Sequence, residues 1–143
     1  MPFLQEQNKQ RVKEAIKRAE SLTSGEIRVC IERCCSENVL DRAAYYFKQL
    51  EMHKTLERNG VLIYLAIDDH KFAIIGDAGI NSIVGADFWN ETKEIMLNAF
   101  KKDQLVEGVI LGIDKAGKAL QKYFPYTKED TNELSDDIYI GNE

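Results

Sequence analysis

The chain has 143 residues, of which 44% are hydrophobic and 30% charged, the size and mixture of one globular domain with a sizeable core. Its net charge of −5 and isoelectric point near 5.2 argue against a nucleic-acid partner, because nucleic-acid-binding domains usually carry a basic face. The first ten residues lack the apolar core of a secretory signal, and no run of about 18 apolar residues occurs. We therefore predict a single cytoplasmic domain over residues 1–143, without a membrane segment.

The three cysteines are an odd number, and two of them, Cys34 and Cys35, are adjacent. This pattern is a poor basis for a disulfide framework and indicates a reducing compartment. A zinc site needs separated pairs of ligands, and only His53 and His70 could supplement the cysteines, so zinc is not predicted. Cys30 lies in an apolar run and is predicted to be a core residue. A redox role for Cys34 and Cys35 is kept as the third functional hypothesis.

The first part of the chain predicts a helix, a strand and a second helix. Apolar residues recur at helical spacing from Leu4 to Leu22, and the Thr-Ser-Gly segment at 23–25 ends that helix. The run EIRVCIE (26–32) alternates apolar and polar residues, which predicts a strand with one apolar face. An apolar stripe over Val39–Met52 predicts the second helix.

Two strands are predicted next. The run VLIYLAI (61–67) consists of apolar residues throughout, the pattern of a strand covered on both faces, and we predict that it is central in the sheet. The polar residues 68–70 lead directly into FAII (72–75). The two strands are therefore predicted to form an antiparallel hairpin.

Two helices and a polar tail complete the chain. Asp87 is predicted to cap a helix that reaches Phe100, and the last helix is predicted from Asp103 to just before Pro125. Small residues four positions apart indicate that the last helix packs closely against a neighbour: Gly108, Gly112 and Ala116. The acidic tail from about residue 126 is expected to be loose, with only Ile138–Ile140 as a short edge strand.

This order of elements predicts an α/β sandwich around a small mixed β-sheet. The first two strands are expected to run parallel, joined by a helical crossover, and the third to return antiparallel. The starts of the first two strands and the end of the third then share one edge of the sheet. Polar residues of interest at this edge are Glu26, Arg58, Asn59 and Asp77, and those at the opposite edge are Glu32, Asp68 and Asp69.

Several phrases of the sequence resemble the TPM-domain family: TSGEIRV, RNGVLIYLA, KFAIIGDAGI, and FP and NEL near the C-terminus. The resemblance covers about residues 23–134. Members of this family include a thylakoid-lumen acid phosphatase and many bacterial proteins of unassigned role. The resemblance implies a three-layer α/β/α sandwich around the small mixed β-sheet and, for some members, divalent cation binding with phosphatase activity. Relatives often have a hydrophobic segment beside the domain and the motif NELPD, where this chain has Ser135 in place of the proline, so any ligand from the tail is expected to be less preorganised.

Asp77 is the sharpest candidate for a metal ligand. It follows a core strand directly, in a loop that contains Gly76 and Gly79, and Glu26 and Asn59 lie at the same edge of the predicted sheet. Calcium and magnesium prefer carboxylate, amide and carbonyl oxygens, which these residues supply. The alternative is that Asp77 caps its own loop by accepting hydrogen bonds from backbone amides.

The opposite edge offers a rival metal site made of Glu32, Asp68 and Asp69. Ligands of open α/β sheets tend to bind beyond the carboxyl ends of parallel strands, which lie at this edge. Two aspartates in a hairpin connection are also ordinary turn residues, so both interpretations stay open. Arg58 could hold a phosphate oxygen, or could fasten its loop to a carboxylate, for which Glu57 or Glu26 could serve.

Two functions follow from these residues and from the resemblance. The first is a domain that binds calcium or magnesium without catalysis, in which the ion stabilises the fold or tunes contact with a protein partner. The alternative is a metal-dependent acid phosphatase acting on phosphomonoesters, with Arg58 in contact with the substrate. The sequence shows no recognisable pair of a nucleophile and a general base.

Overall fold

The structure is a computed structural model that describes residues 5–85, 87–126 and 136–141. Helices and strands alternate along the first half, and two long helices follow. In chain order the elements are α1 (Glu6–Glu20), β1 (Glu26–Glu32), α2 (Val39–Gln49), a 3-10 turn (Met52–Lys54), β2 (Gly60–Ala66), β3 (Lys71–Gly76), α3 (Ala78–Asn81), α4 (Asn90–Lys101), α5 (Leu105–Gln121) and β4 (Tyr139–Ile140).

The described strands form one mixed sheet in the order β3-β2-β1-β4. β1 is parallel to β2 and to β4, whereas β3 is antiparallel to β2, which confirms the predicted hairpin and crossover. Glu26 pairs with Gly60, and Val61 pairs with Gly76. The starts of β1 and β2 and the end of β3 therefore share one edge, as predicted. The short edge strand predicted in the tail is β4, whereas the NEL motif at 132–134 lies outside the described residues.

Helices cover both faces of this sheet, and this confirms the predicted three-layer α/β/α sandwich. One face of β1, with Ile27 and Val29, packs against α1, α4 and α5. The opposite face, with Cys30, packs against α2 and the 3-10 turn. β2 is buried along its whole length, because alternate residues enter the two separate cores. This explains its unbroken apolar sequence.

Helix α5 packs closely against its neighbours through glycines. A Cβ added at Gly108 or Gly112 would lie 2.5 or 2.4 Å from a side chain of α4. This confirms the close packing predicted for these two positions. Ala116 is buried, but the corresponding contact with α1 is made by Gly117, where a Cβ would lie 2.7 Å from the Cβ of Ala19. Within the described ranges, no helix combines the length and apolarity needed to cross a bilayer.

Two helix starts and one short helix differ from the predictions. Helix α4 begins at Asn90, since Asp87 starts a turn in which its carbonyl accepts a hydrogen bond from the Asn90 amide, rather than capping the helix. Helix α5 begins two residues after Asp103, whose φ of 61° is left-handed and cannot continue a right-handed helix. Helix α3 was not predicted, because its four residues are too short to show a helical period.

Candidate functional site

The carboxylate of Asp77 is engaged by groups of the protein itself. Only 5% of its side chain is exposed, and it accepts hydrogen bonds from Nε and Nη2 of Arg58, both at 2.8 Å. Its Oδ1 also accepts a hydrogen bond from the backbone amide of Ala78 at 2.7 Å, so that Asp77 caps α3. The capping role considered from the sequence is thus present, together with a bidentate ion pair. A metal ion at Asp77 would have to displace the guanidinium.

The glycine after Asp77 serves a close approach between two backbones. A Cβ at Gly79 would lie 2.1 Å from the carbonyl oxygen of Glu57. The amide of Gly79 donates a hydrogen bond to the carbonyl of Arg58 at 2.8 Å. Arg58 itself has a left-handed φ of 52°. The Gly-Asp-Ala-Gly segment therefore holds the loop before β2 against the end of β3. The missing side chain of Gly79 makes room for the backbone of that loop, not for a ligand.

Glu26 and Asn59 lie together, apart from Asp77. The backbone amide of Glu26 donates a hydrogen bond to the carbonyl of Asn59 at 3.3 Å, and both side chains are buried. The amide group of Asn59 donates to Ser24 Oγ and to Glu57 Oε2 at 3.4 and 3.2 Å. Strand β2 separates Glu26 from Asp77, which places their backbones about 10 Å apart. The structure thus places the predicted ligands Asp77, Glu26 and Asn59 at the same edge of the sheet, but it does not group them around a position where one ion could bind.

Glu26 instead interacts with the carboxyl group of Glu20. Glu20, at the end of α1, accepts a hydrogen bond from the backbone amide of Ile27 at 3.0 Å and shares a hydrogen bond with Asp136, shortly before β4. Burial, the hydrogen bond with Asp136 and the charges of Asp136 and Glu26 together raise the pKa of Glu20 to about 9. We call Glu20, Glu26 and Asp136 the carboxyl cluster.

The carboxyl cluster joins the connection between α1 and β1 to a segment more than 100 residues away in the sequence. Its oxygens are of the type that calcium and magnesium prefer, so the donor set fits the ion that the resemblance implies. Across the described residues, no three acidic, histidine or cysteine side chains already stand in the arrangement of a metal site. Glu20 and Asp136 were not predicted as site residues from the sequence. The available signal was the position of Asp136 directly after the NEL motif and Ser135.

Glu32, at the opposite edge, belongs to a buried hydrogen-bond network. Its fully buried carboxylate accepts hydrogen bonds from Arg42 Nε at 3.0 Å, from Arg42 Nη2 at 2.8 Å and from the hydroxyl of Tyr46 at 2.6 Å, and also from the hydroxyl of Tyr64. Burial alone would raise the pKa of Glu32, but the hydrogen bonds from Arg42, Tyr46 and Tyr64 outweigh it and lower the pKa to about 2. Glu32 is therefore an ionised structural residue.

The two aspartates of the hairpin point to other partners. Asp68 forms an exposed ion pair with Arg33 at 3.4 Å, and Asp69 accepts a hydrogen bond from the backbone amide of Cys35 at 2.6 Å. The structure thus does not gather Asp68, Asp69 and Glu32 around one point.

The described cysteines are free thiols, of which only Cys34 is exposed. Desolvation, together with the charges of Asp69 and Asp68, raises the pKa of Cys34 above its ordinary value. A raised pKa reduces the thiolate fraction on which nucleophilic and redox reactions depend. This weakens the redox hypothesis.

Comparison with known proteins agrees with the fold. The family model described as the TPM domain matches residues 2–119. The solution NMR structure of the BA42 protein from the psychrophilic bacterium Bizionia argentinensis is 45% identical and superposes with a TM-score of 0.91, over 97% of this chain and 96% of that one. The N-terminal domain of the cg2496 protein from Corynebacterium glutamicum has a TM-score of 0.64 at 8% identity, over 92% of this chain and 80% of that one, and shares the fold alone.

No match was found among curated proteins. The family assignment therefore depends on the TPM-domain model and on the similarity to BA42, both of which extend over most of the chain. The phrases that first indicated this resemblance, from TSGEIRV to KFAIIGDAGI, contribute β1, β2, β3 and the Arg58–Asp77 pair of the observed fold. The chain belongs to the TPM domain family.

Proposed function

We propose that this TPM domain binds a divalent cation, calcium or magnesium, at the carboxyl cluster and that the ion stabilises the fold. The supporting observation is the convergence of Glu20, Glu26 and Asp136 from the end of α1, the start of β1 and the segment before β4. An ion held by all three would link the C-terminal segment to the body of the domain. This is a non-catalytic role, in which the binding free energy adds to the free energy of folding.

The electrostatics of the cluster favour a cation. Three carboxyl groups close together repel each other when ionised, so the cluster holds a proton in the absence of other cations. A divalent ion would replace that proton and offset the remaining negative charge. Because the ligands must lose their protons to bind, cation affinity should increase with pH up to about the pKa of Glu20, near 9.

The first-predicted ligand set of Asp77, Glu26 and Asn59 remains an alternative site. Binding there would require Arg58 to leave Asp77 and the Glu26 and Asp77 backbones to approach across β2.

The acid phosphatase alternative, the protein partner and the cytoplasmic location also stay predictions. Arg58, predicted to contact substrate phosphate, places Nε and Nη2 on Asp77 while 48% of its side chain remains exposed. The ion pair with Asp77 corresponds to the alternative considered for Arg58 from the sequence, in which the arginine holds its loop to a carboxylate.

Thermal unfolding with and without metal tests the proposal. Calcium or magnesium at about 100 times its Kd should stabilise the protein by about 2.7 kcal/mol, which raises Tm by roughly 5–10 °C relative to protein in EDTA. Asp136→Asn should remove most of this increase. Asp137→Asn is the matched control, because the neighbouring Asp137 makes an exposed ion pair with Lys13 and should keep the increase.

Amide NMR shifts during the same titration identify the site. We expect the largest shifts at Glu20, Ile27 and Asp136. Shifts confined to Asp77 and Ala78 would instead assign the ion to the alternative site, and an unchanged Tm with either metal would overturn cation binding. Phosphomonoester hydrolysis that is metal-dependent and lost in Arg58→Ala would replace the non-catalytic role by the phosphatase.

A further inference from the structure

A groove of about 670 Å³ lies beyond the carboxyl end of β2, at the edge of the sheet opposite the carboxyl cluster. It runs between the β2–β3 hairpin and the turn that joins α4 to α5. Its volume is within the range of about 300–1,000 Å³ that is usual for small-molecule pockets. Apolar side chains line its floor and charged side chains line its rim, among them Phe72, Leu97, Phe100, Lys101 and Asp103.

Both walls of the groove are held by backbone hydrogen bonds. The amides of Ile67 and Asp68 donate to the carbonyls of Glu32 and Arg33 at 2.9 and 2.7 Å, which ties the hairpin to the end of β1. On the other wall the amide of Asp103 donates to the carbonyl at the end of α4 at 3.0 Å. The groove is therefore largely formed before any ligand binds, which lowers the entropic cost of binding.

The floor of the groove is apolar and aromatic. The rings of Phe72 from β3 and Phe100 from α4 meet edge to face, with centroids 5.1 Å apart. Gly108 allows this arrangement, because a Cβ there would lie 2.5 Å from the Phe100 ring. Leu97 lies on the same wall and leaves 41% of its side chain exposed. Such a floor suits a large apolar side chain.

The rim carries charges of both signs. Over the described part of the chain, Lys101 and Asp103 make no ion pair and no side-chain hydrogen bond, although both line the groove. Asp68 shares its charge with Arg33 at 3.4 Å, and the imidazole of His70 lies at the hairpin tip. The groove is thus lined by the ammonium group of Lys101 and the carboxylate of Asp103, two positions apart in the sequence, in addition to its apolar floor.

We propose that this groove binds a free α-amino acid with a large apolar side chain. The ligand carboxylate pairs with Lys101, its ammonium group pairs with Asp103, and its side chain lies on Phe72 and Phe100. The lysine, the aspartate and the aromatic floor of the groove are complementary to the carboxylate, the ammonium group and the apolar side chain of this molecule. The inference is independent of the cation proposed at the other edge of the sheet.

Binding is tested by NMR titration of the full chain with L-phenylalanine in EDTA. We expect saturable shifts of the Leu97, Leu105 and Phe72 signals at ligand concentrations up to about 10 mM. Phenethylamine lacks the carboxylate, 3-phenylpropanoate lacks the ammonium group, and N-acetylphenylalanine amide lacks both charges. Each should bind at least roughly tenfold more weakly than L-phenylalanine, since it leaves a rim charge without its partner.

Charge-neutralising variants identify the rim residues. Lys101→Gln and Asp103→Asn should each weaken L-phenylalanine binding roughly tenfold, and asparagine tolerates the left-handed backbone of position 103. The matched control is Lys102→Gln, at a neighbouring exposed lysine that does not line the groove. Equal effects of the Lys101 and Lys102 variants would overturn the proposal. So would equal affinity for the uncharged analogue, or an absence of shifts at the groove.

Discussion

At the scale of single residues, Asp77 shows how one carboxylate can serve two structural purposes. It caps the short helix α3 through the amide of Ala78 and anchors the loop before β2 through Arg58. Both roles use the carboxylate oxygens of a buried side chain at the end of β3. The pattern that predicts a metal ligand, a carboxylate in a glycine loop after a core strand, is the same pattern that a clamp between two loops requires.

Replacement of Asp77 separates these roles from metal binding. Asp77→Ala should lower the free energy of unfolding by about 2 kcal/mol, because it removes a helix cap and leaves the Arg58 guanidinium unpaired. Urea unfolding in EDTA measures the loss. Arg58→Ala is the companion variant, and a double-mutant cycle should show coupling of the two positions. A loss that appears only when calcium is present would identify Asp77 as a metal ligand instead.

Glu32 should contribute more strongly to stability, because its carboxylate is completely buried. Glu32→Gln leaves Arg42 facing a neutral amide and should cost about 3 kcal/mol in urea unfolding. Glu37→Gln, at an exposed position, should change stability little. The folded pKa of Glu32 is lowered to about 2 from 4.5, so its contribution is present above pH 4.5 and is lost as pH falls toward about 2. A cost that is the same at pH 2 as at pH 7 would contradict this assignment.

Glu20 should give the opposite pH dependence. Its folded pKa is raised from 4.5 to about 9, so the folded state retains a proton that the unfolded state releases. The contribution of Glu20 is therefore fully present below pH 4.5 and declines as pH rises to about 9. Glu20→Gln keeps a neutral side chain able to bond Asp136 and should flatten this decline, with a gain of about 1 kcal/mol at pH 8. Urea unfolding in EDTA from pH 5 to 9 checks the slope, and an unchanged slope in the variant would refute the assignment.

At the scale of elements, periodicity was informative wherever one face of a helix or strand is buried. It predicted β1 and the four long helices, because a buried face imposes a repeat of 2 or about 3.6 residues on the sequence. Strands β2 and β3 were predicted instead from continuous apolar runs. Helix ends are set by single backbone conformations and local hydrogen bonds, which carry no period. This is why the left-handed Asp103 and the turn at Asp87 were missed.

The glycines of α5 allow a test at the element scale. Gly117→Ala would force a methyl group to within 3.0 Å of the Ala19 backbone and should destabilise the domain by about 2 kcal/mol, despite the better helix propensity of alanine. Gly85→Ala is the control, because a Cβ there meets nothing within 4 Å. Thermal or urea unfolding compares the two variants. Equal stability of both would show that α1 and α5 can separate without cost.

At the scale of the whole molecule, the sheet order explains which predicted site residues meet. Parallel β1 and β2 with antiparallel β3 place the predicted residues at two opposite edges, as their order in the sequence implied. At each edge, the predicted site residues then interact with different side chains and not with one another as one site. Glu20 interacts with Asp136 and Glu26, Asp77 pairs with Arg58, and Glu32 pairs with Arg42.

The sequence by itself determined the family, the α/β/α layering and the edge of the sheet to which each candidate residue belongs. These follow from local signals: apolar periodicity, glycine and proline breaks, and short phrases such as KFAIIGDAGI. Only the tertiary structure decided which carboxylate meets which partner. That choice depends on contacts across 19 residues for Arg58 and Asp77, and across more than 100 for Glu20 and Asp136. Each edge of the sheet offers several acceptors for each donor. The packing of the folded chain determines which pair lies within hydrogen-bond distance, and a periodic pattern in the sequence carries no information about those distances.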